Sequence, residues 1–465
     1  MHLLAPTGSP TVDLPPRRSA GVEANRLLHA DRVVHDWYRF VLSYPPHLVR
    51  EYVDRFRLAS GATVLDPFCG TGTTLVEALK LGLNAAGVEA NPMAYLATRA
   101  KVDWRPQPEK LQSASERIAS SVLDVLESDA VPDSSGPLFD GHQPVVRLLS
   151  LDPEAERLLL RDSISPRPAH KALRLKQALW KSTDQSLLSH QCIALAKTLV
   201  FSSSNLRFGP EVGVGRPKED AAVVAPWLEN IRTIADDLRV VQTAPRFVKT
   251  ILRLSDARDL EYQFDRESID AVITSPPYPN EKDYTRTTRL ESVFLGLIRS
   301  REELRALKQG LVRSNTRNVY KSDADDFHVA DNSEIHRIAA EIEERRVRMG
   351  KTSGFEKLYP RVAMLYFGGM HRHLASLRPL LRPGAQLAYV VGDQASYLQV
   401  MIRTGTLLAE IADSLGYEVT GIDLFRTRFA TATKEMLREE VVLLRWPGPK
   451  MRAPKKAVAT CPESN

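Results

Sequence analysis

GATVLDPFCGTGTTLVEALKLGLNAAGVEANPMAYLATRA (residues 61–100) changes its period several times, and those changes decide the fold. Gly61 to Asp66 is a short β-rich run, Gly70 to Gly72 reads as a turn, and Thr74 to Leu81 is spaced as a helix that ends at Gly82. Asn84 to Glu89 is a second strand and Pro92 to Ala100 a second helix. Strand, turn, helix, strand in this order predicts a parallel sheet of the doubly wound α/β kind. Upstream, the spacing between Arg26 and Leu58 predicts helices broken at Tyr44-Pro45-Pro46 and resumed at HLVREYVDRF, with proline at the start. Downstream, strands are expected at Thr250–Leu254, Ser268–Thr274, Gln386–Val391 and Glu440–Trp446. Helices are expected between Tyr359 and Leu381 and between Leu398 and Leu415.

Between these blocks lie two stretches of different character. Residues 105–249 are acidic, then basic and helix-like from Glu154 to Leu199, with a loop-like SSSNLRFGPEVGVGRPKED; they are too long for a loop and read as an insertion. Residues 313–354 read as a second, charged and partly helical insertion. This divides the chain into a tail (1–25), a first part of the main domain (26–104), the insertion (105–249), a second part (250–446) and a basic tail (447–465), both tails being expected to be disordered.

The 465 residues carry a net charge of +6, but the segment from Arg445 to Asn465 alone contributes +4, so bulk charge says little. Its distribution says more: Glu109 to Glu156 carries −7, whereas Arg157 to Lys218 carries +8 and is a candidate phosphate-facing surface. Three cysteines at unrelated spacings exclude a disulfide framework and a zinc knuckle and favour a reducing cytoplasm. No apolar run has membrane-spanning length, so no membrane partner is expected. His371 and His373 lack the i,i+4 zinc spacing, and no metal is expected.

Two constellations carry chemistry. Asp66-Pro67-Phe68-Cys69-Gly70-Thr71-Gly72-Thr73-Thr74 joins a strand end to a helix start, where glycines admit a close ligand and free amides bind its polar part. It is neither a dinucleotide fingerprint nor a phosphate loop. Glu89, at the end of the next strand, is placed to accept both hydroxyls of a ribose, which points to an adenosine-containing ligand. The second constellation, Thr274-Ser275-Pro276-Pro277-Tyr278, leaves the strand SIDAVIT with two φ-locked prolines. It offers the Ser275 hydroxyl and Pro276 carbonyl as acceptors for an exocyclic amine, with Tyr278 to stack on its ring.

Taken together, DPFCGTGTT, VEANP and TSPPY resemble the amino-methyltransferases of DNA, which move methyl from S-adenosylmethionine to cytosine N4 or adenine N6. The resemblance covers about residues 33–104 and 250–446. It implies a Rossmann-like, seven-stranded, mostly parallel sheet with a helical insertion. It further implies that Asp66, Phe68, Gly70, Gly72, Thr73, Glu89 and Asp256 hold S-adenosylmethionine. Ser275, Pro276, Pro277 and Tyr278 match its catalytic motif, and Ser at the head of that motif leans toward cytosine N4. YPPHLVREYV resembles the segment that packs on the methionine end of the cofactor. Double-stranded DNA is the implied partner, with a restriction or other defence subunit encoded nearby, and the insertion is the implied target-recognition region. Arg286 and Arg289, spaced i,i+3, are candidates for phosphate contact, with pairing to Glu291 or Asp283 as the alternative. No cysteine follows a proline, which argues against a cytosine-C5 enzyme. Two further readings compete: an RNA or tRNA amino-methyltransferase, and a nucleic-acid-binding protein without turnover. Ser275 argues against the first, and the full acceptor set beside an intact cofactor loop against the second.

Overall fold

The computed structural model describes residues 27–39, 43–133, 146–208, 212–243, 248–280, 282–430 and 434–449. The expected tails 1–25 and 447–465 lie outside them apart from residues 447–449. The described residues form nine strands: β1 (Thr63–Asp66), β2 (Asn84–Glu89), β3 (Leu206–Phe208), β4 (Val212–Val214), β5 (Thr250–Leu254), β6 (Ile269–Thr274), β7 (Leu381–Gly392), β8 (Glu418–Ala430) and β9 (Glu435–Arg445). Seven of them form one sheet in the order β5-β2-β1-β6-β7-β9-β8. Pairing is parallel except at β9, which runs antiparallel to both β7 and β8.

Side chains alternate across this sheet as the pleat requires. Val64, Ala271, Ile273, Ala388 and Val390 face one side, where they meet Val49 and Tyr52 of α1 (Pro46–Arg55) and Leu75 and Leu79 of α2 (Thr73–Lys80). Leu65, Val272, Leu387, Tyr389 and Val391 face the other, against Val362, Tyr366 and Phe367 of the helix Tyr359–Leu377. Apolar residues on both faces of the inner strands mark a sheet covered by helices on both sides. The order reverses at β1, since the chain moves outward to β2 and β5 and then returns to β6. The carboxyl ends of β1 and β6 therefore flank the crevice in which such sheets bind ligands.

The helix α3 (Pro92–Lys101) follows β2, and the long insertion follows it inside the same crossover to β5. It comprises α4 (Pro108–Ser128), α5 (Pro166–Lys181), α6 (Leu188–Thr198) and α7 (Val224–Val241), with the hairpin β3–β4 between α6 and α7. Its own core contains Leu111, Val122, Leu126, Leu175, Leu179, Trp227, Ile231 and Leu238, and Met93, Ala97 and Ala100 of α3 join it. The charged insertion holds α8 (Ser333–Arg348), which buries Ile335, Ile338 and Ile342 beside α9 (Tyr359–Leu377). The last helix, α10 (Thr404–Ser414), precedes β8.

Four expectations are corrected. The region before Tyr44 forms two 3-10 turns, His29–Asp31 and His35–Trp37, in place of helices. Asp237 of α7 accepts from the Val34 amide and from Trp37 Nε1, both at 2.8 Å, and Val34 sits at φ 70°. A tertiary acceptor has thus taken a donor that a helix would need. The loop-like SSSNLRFGPEVGVGRPKED contains β3 and β4, paired antiparallel. β8, which no apolar pattern announced, is an edge strand of thirteen residues with only Phe425 buried. Finally, three cations of the +8 stretch turn to partners within the chain, while Arg157, Arg161, Lys181, Arg207, Arg216 and Lys218 stay exposed. Lys171 is buried with Asp220 at 2.6 Å, Arg174 grips Asp129 at 2.7 and 2.9 Å, and Lys197 donates to the Asp36 carbonyl.

The 3-10 turn Asp325–Val329 lies directly on α9, where Gly368 leaves it no spare room. A Cβ at Gly368 would fall 1.8 Å from the Asp325 carbonyl oxygen, so backbone must move to admit it. Gly368→Ala is expected to destabilise the protein by about 2 kcal/mol, read as a lowered urea midpoint against the parent chain.

Candidate active site

Asp66 ends β1 as a fully buried carboxylate with hydrogen-bond donors arranged around it. Oδ1 accepts from Thr274 Oγ1 at 2.6 Å and from the Phe68 amide at 3.1 Å, and Oδ2 accepts from Tyr44 Oη at 2.9 Å. Burial raises its pKa while these donors pull it down. Since Thr274 ends β6, one side chain joins the start of the glycine loop to the start of the Ser-Pro-Pro-Tyr loop. Tyr44, from the segment upstream of α1, also bonds Thr74 of α2.

The glycine loop is shaped by two left-handed residues, Gly70 at φ 51° and Gly72 at φ 87°. A Cβ on Gly72 would meet Thr98 Oγ1 at 2.9 Å, and that hydroxyl is already committed to the Gly70 carbonyl at 2.8 Å. Glycine is therefore required at the N-cap of α2. Glu89 closes the loop from β2: Oε2 accepts from the Gly70 amide at 2.8 Å and Oε1 from the Asn91 amide at 2.7 Å. Burial pushes its pKa up to about 7 in spite of these two amides.

At the end of β5, the Asp256 carboxylate is held by the Arg258 amide and guanidinium, with contacts from 2.6 to 3.1 Å. The other arm of Arg258 reaches Asp325 at 2.5 Å, which ties the charged insertion to this corner. Phe68 packs edge-on against His373 with ring centroids 4.8 Å apart. His373 is itself engaged by the Ala257 carbonyl and Tyr389 Oη, both at 2.7 Å, and burial lowers its pKa to about 4. It is a packing residue, and no group of three metal-ligating side chains occurs among the described residues.

In the second loop, Ser275 Oγ donates to the Val390 carbonyl of β7 at 3.1 Å. With its proton spent there, the oxygen offers lone pairs to a ligand. The Tyr278 ring lies on Gly392, where a Cβ would come within 3.0 Å of it, and burial raises the phenol's pKa. Tyr284 Oη accepts from the Tyr278 amide at 3.4 Å and steadies the loop.

A cavity of about 460 Å³ joins the two loops. Phe68, Gly70, Thr73, Glu89 and Asp256 line one part, Ser275, Pro276, Pro277 and Tyr278 another. Asp66 stands behind the wall and Gly72 at the helix start. The donor set fits an adenosyl ligand: a carboxylate at the strand end with lone pairs beyond its amide bonds, an aromatic ring and an open glycine backbone. Sequence reading missed the opposite wall, formed by Gln394, Phe425, Arg426, Arg428 and Glu439 from beyond β7 and from the β8–β9 pair.

Arg286 and Arg289 do not line the cavity and do not share one helix. The chain breaks at Thr288 between Tyr284–Thr287 and Arg289–Phe294. Arg289 turns inward, donating to the Thr285 and Leu158 carbonyls at 3.2 and 3.3 Å and to Thr285 Oγ1 at 2.8 Å. Neither expected carboxylate pairs with it, because Asp283 holds Lys308 at 3.0 Å and Glu291 accepts from Tyr38.

Residues 29–99 match a family profile described as DNA methylase. The chain is 24% identical over 456 residues to the Type II methyltransferase M.BsoBI of Geobacillus stearothermophilus, covering 92% of this chain and 86% of the relative. It is 22% identical over 459 residues to the Type II methyltransferase M.AvaI of Nostoc sp., covering 90% and 86%. A shorter match, 22% over 280 residues, joins 57% of this chain to 58% of the Type II methyltransferase M.MvaI of Kocuria varians.

Glu89 yields a pH prediction with a defined sign. As the expected ribose acceptor it takes both hydroxyl protons best when ionised, since protonation turns one oxygen into a donor, and burial raises its pKa to about 7. Affinity for S-adenosylmethionine is expected to rise as pH increases through 7 and to level off above it. Glu89→Gln should weaken binding about tenfold at pH 8 and flatten the profile; calorimetry across pH checks both.

Proposed function

Because this chain is related to the DNA amino-methyltransferases of the N4/N6 family, we propose that it methylates the N4 amine of cytosine in duplex DNA. S-adenosylmethionine, the methyl donor that the family implies, supplies an electrophilic methyl on its sulfonium. The observation that carries the reading is the Ser275 hydroxyl, whose proton is committed to Val390 while its oxygen borders the same cavity as Glu89 and Asp256.

The residues' roles follow from their chemistry. Phe68, Gly70, Thr73, Glu89 and Asp256 hold the adenosyl group, while Asp66 and Gly72 shape the loop that does so. A target base flipped out of the duplex stacks on Tyr278. Ser275 Oγ and the Pro276 carbonyl accept its two amine protons and aim the nitrogen lone pair at the methyl. Positive charge develops on that nitrogen as the carbon–nitrogen bond forms, so both acceptors bind more strongly in the transition state than in the ground state. The two prolines fix the carbonyl in advance. As the carbon–nitrogen bond forms the methyl–sulfur bond breaks, leaving a thioether, and the nitrogen then gives one proton to water.

We assign the described cations that remain exposed in the +8 stretch, Arg161 among them with 95% of its side chain exposed, to phosphate contact. Arg286, whose Nε is buried without a partner, is the remaining arginine candidate beside the second loop. The relatives' Type II designation supports a place in restriction–modification, opposite a nuclease encoded nearby, and the buried thiols of Cys69 and Cys192 suit a reducing cytoplasm. No described helix is long and apolar enough to cross a membrane.

Purified protein incubated with S-adenosylmethionine and unmethylated genomic DNA is expected to yield N4-methylcytosine on digestion and mass spectrometry. N6-methyladenine alone would reassign the base, and methylation of RNA alone would reassign the substrate. Ser275→Ala should lower the transfer rate about tenfold to a hundredfold while leaving cofactor affinity unchanged.

A further inference from the structure

The wall opposite Ser275 carries charge that cofactor binding does not use. Gly392, at the end of β7, forms a notch in which Tyr278 and Glu439 meet: a Cβ there would lie 3.0 Å from the Tyr278 ring and 3.3 Å from Glu439 Cγ. Arg426 and Arg428 are two residues apart on β8, on one face of the strand, and both turn toward Glu439. They are held very differently. Arg426 makes a two-pronged pair with the carboxylate, at 2.5 and 3.0 Å, and its side chain is 15% exposed. Arg428 has only long contacts: Glu439 at 3.7 Å, and the Asp393 carbonyl and Gln394 Oε1 at 3.4 Å each. Its side chain is 40% exposed and it lines the cavity. Glu439 is thus satisfied by Arg426, and Arg428 is a loosely held guanidinium fork lining the same cavity as the tyrosine.

We propose that Arg428 reads the pyrimidine edge of the target base, donating to N3 and O2 of cytosine, with Glu439 and Gln394 steering its guanidinium. The inference rests on the reading of Ser275 and Pro276 as the amine's acceptors. With the amine fixed there, the atoms next along the base edge decide what the wall must supply. Cytosine presents two acceptors in succession, N3 and O2, which match two N–H groups of a guanidinium. Adenine presents one acceptor, N1, followed by an apolar C2–H that would leave a donor unsatisfied. Thymine lacks the amine and presents an N3–H that meets the guanidinium donor to donor. Arg428 therefore favours N4 methylation by binding one base and by failing to satisfy the other.

The test compares the full-length chain with its Arg428→Ala, Arg428→Gln and Arg428→Lys variants on unmethylated genomic DNA, scoring N4-methylcytosine and N6-methyladenine, with cofactor affinity measured by calorimetry. Arg428→Ala is expected to lose about tenfold to a hundredfold in N4-methylcytosine formation at unchanged cofactor affinity, and Arg428→Lys to recover part of it. If Arg428→Ala no longer binds cofactor, Arg428→Gln, which keeps a polar side chain without the charge, carries the comparison. A rate within twofold of the parent in a variant that binds cofactor overturns the role of Arg428 and leaves the amine-acceptor reading standing. N6-methyladenine as the parent's product overturns the cytosine preference. No transfer to DNA by the parent overturns the acceptor reading itself, and this inference with it.

Discussion

One buried carboxylate organises the ligand-binding end of the sheet. Among the described residues Asp66 pairs with no cation; hydroxyls from Tyr44 and Thr274 and the Phe68 amide satisfy it instead. Burying such a charge is expensive unless its hydrogen bonds are supplied, so each donor is held where the carboxylate requires it. The three donors come from the segment before α1, from the glycine loop and from the end of β6. Registering them on one group fixes the distance between the glycine loop and the Ser-Pro-Pro-Tyr loop, some two hundred residues apart in sequence.

The parts of the molecule that the sequence announced are those where local chemistry and tertiary structure agree. β1, α2, β2 and α3 fall within a residue or two of their expected positions, because Gly72, Gly82 and Pro92 set boundaries by backbone constraint alone. Thr250–Leu254 is matched residue for residue. The paired loops were equally readable, since glycines and prolines state their conformations directly. Illegible features depend on partners distant in sequence. β8 is paired on one side only and buries a single residue, so it carries no strand pattern. The turns around Val34 exist because Asp237 takes their donors. The basic stretch looked like a surface because composition does not reveal that Asp220, Asp129 and the Asp36 carbonyl wait for its cations. The wall of Arg426, Arg428 and Glu439 belongs to this class, having no motif and owing its place to the β8–β9 pairing.

The charged insertion is attached at the ligand-binding end without being part of the sheet, whereas the long one joins the end of α3 to the start of β5. The charged one is anchored by Arg258, which holds Asp256 with one arm and Asp325 with the other, and by the turn seated on Gly368. Its loop contributes Val312, Ser314 and Asn318 to the cavity. The cavity corner beside Asp256 is thus built from two sequence regions at once, and neither is complete without the other.

The long crossover has a consequence for how the chain reaches this state. β5 lies beside β2, yet residues 90–249 must be placed before the two can pair. Closing so long a connection carries an entropic cost that is not recovered until the strands meet. The insertion offsets part of that cost through the core around Trp227, which it shares with Met93, Ala97 and Ala100 of α3 and which draws the crossover together. On a ribosome, β1 and β2 emerge first and wait with one edge bare while the helical unit forms. The order of synthesis then makes the long insertion a folding template for the sheet that will hold the cofactor.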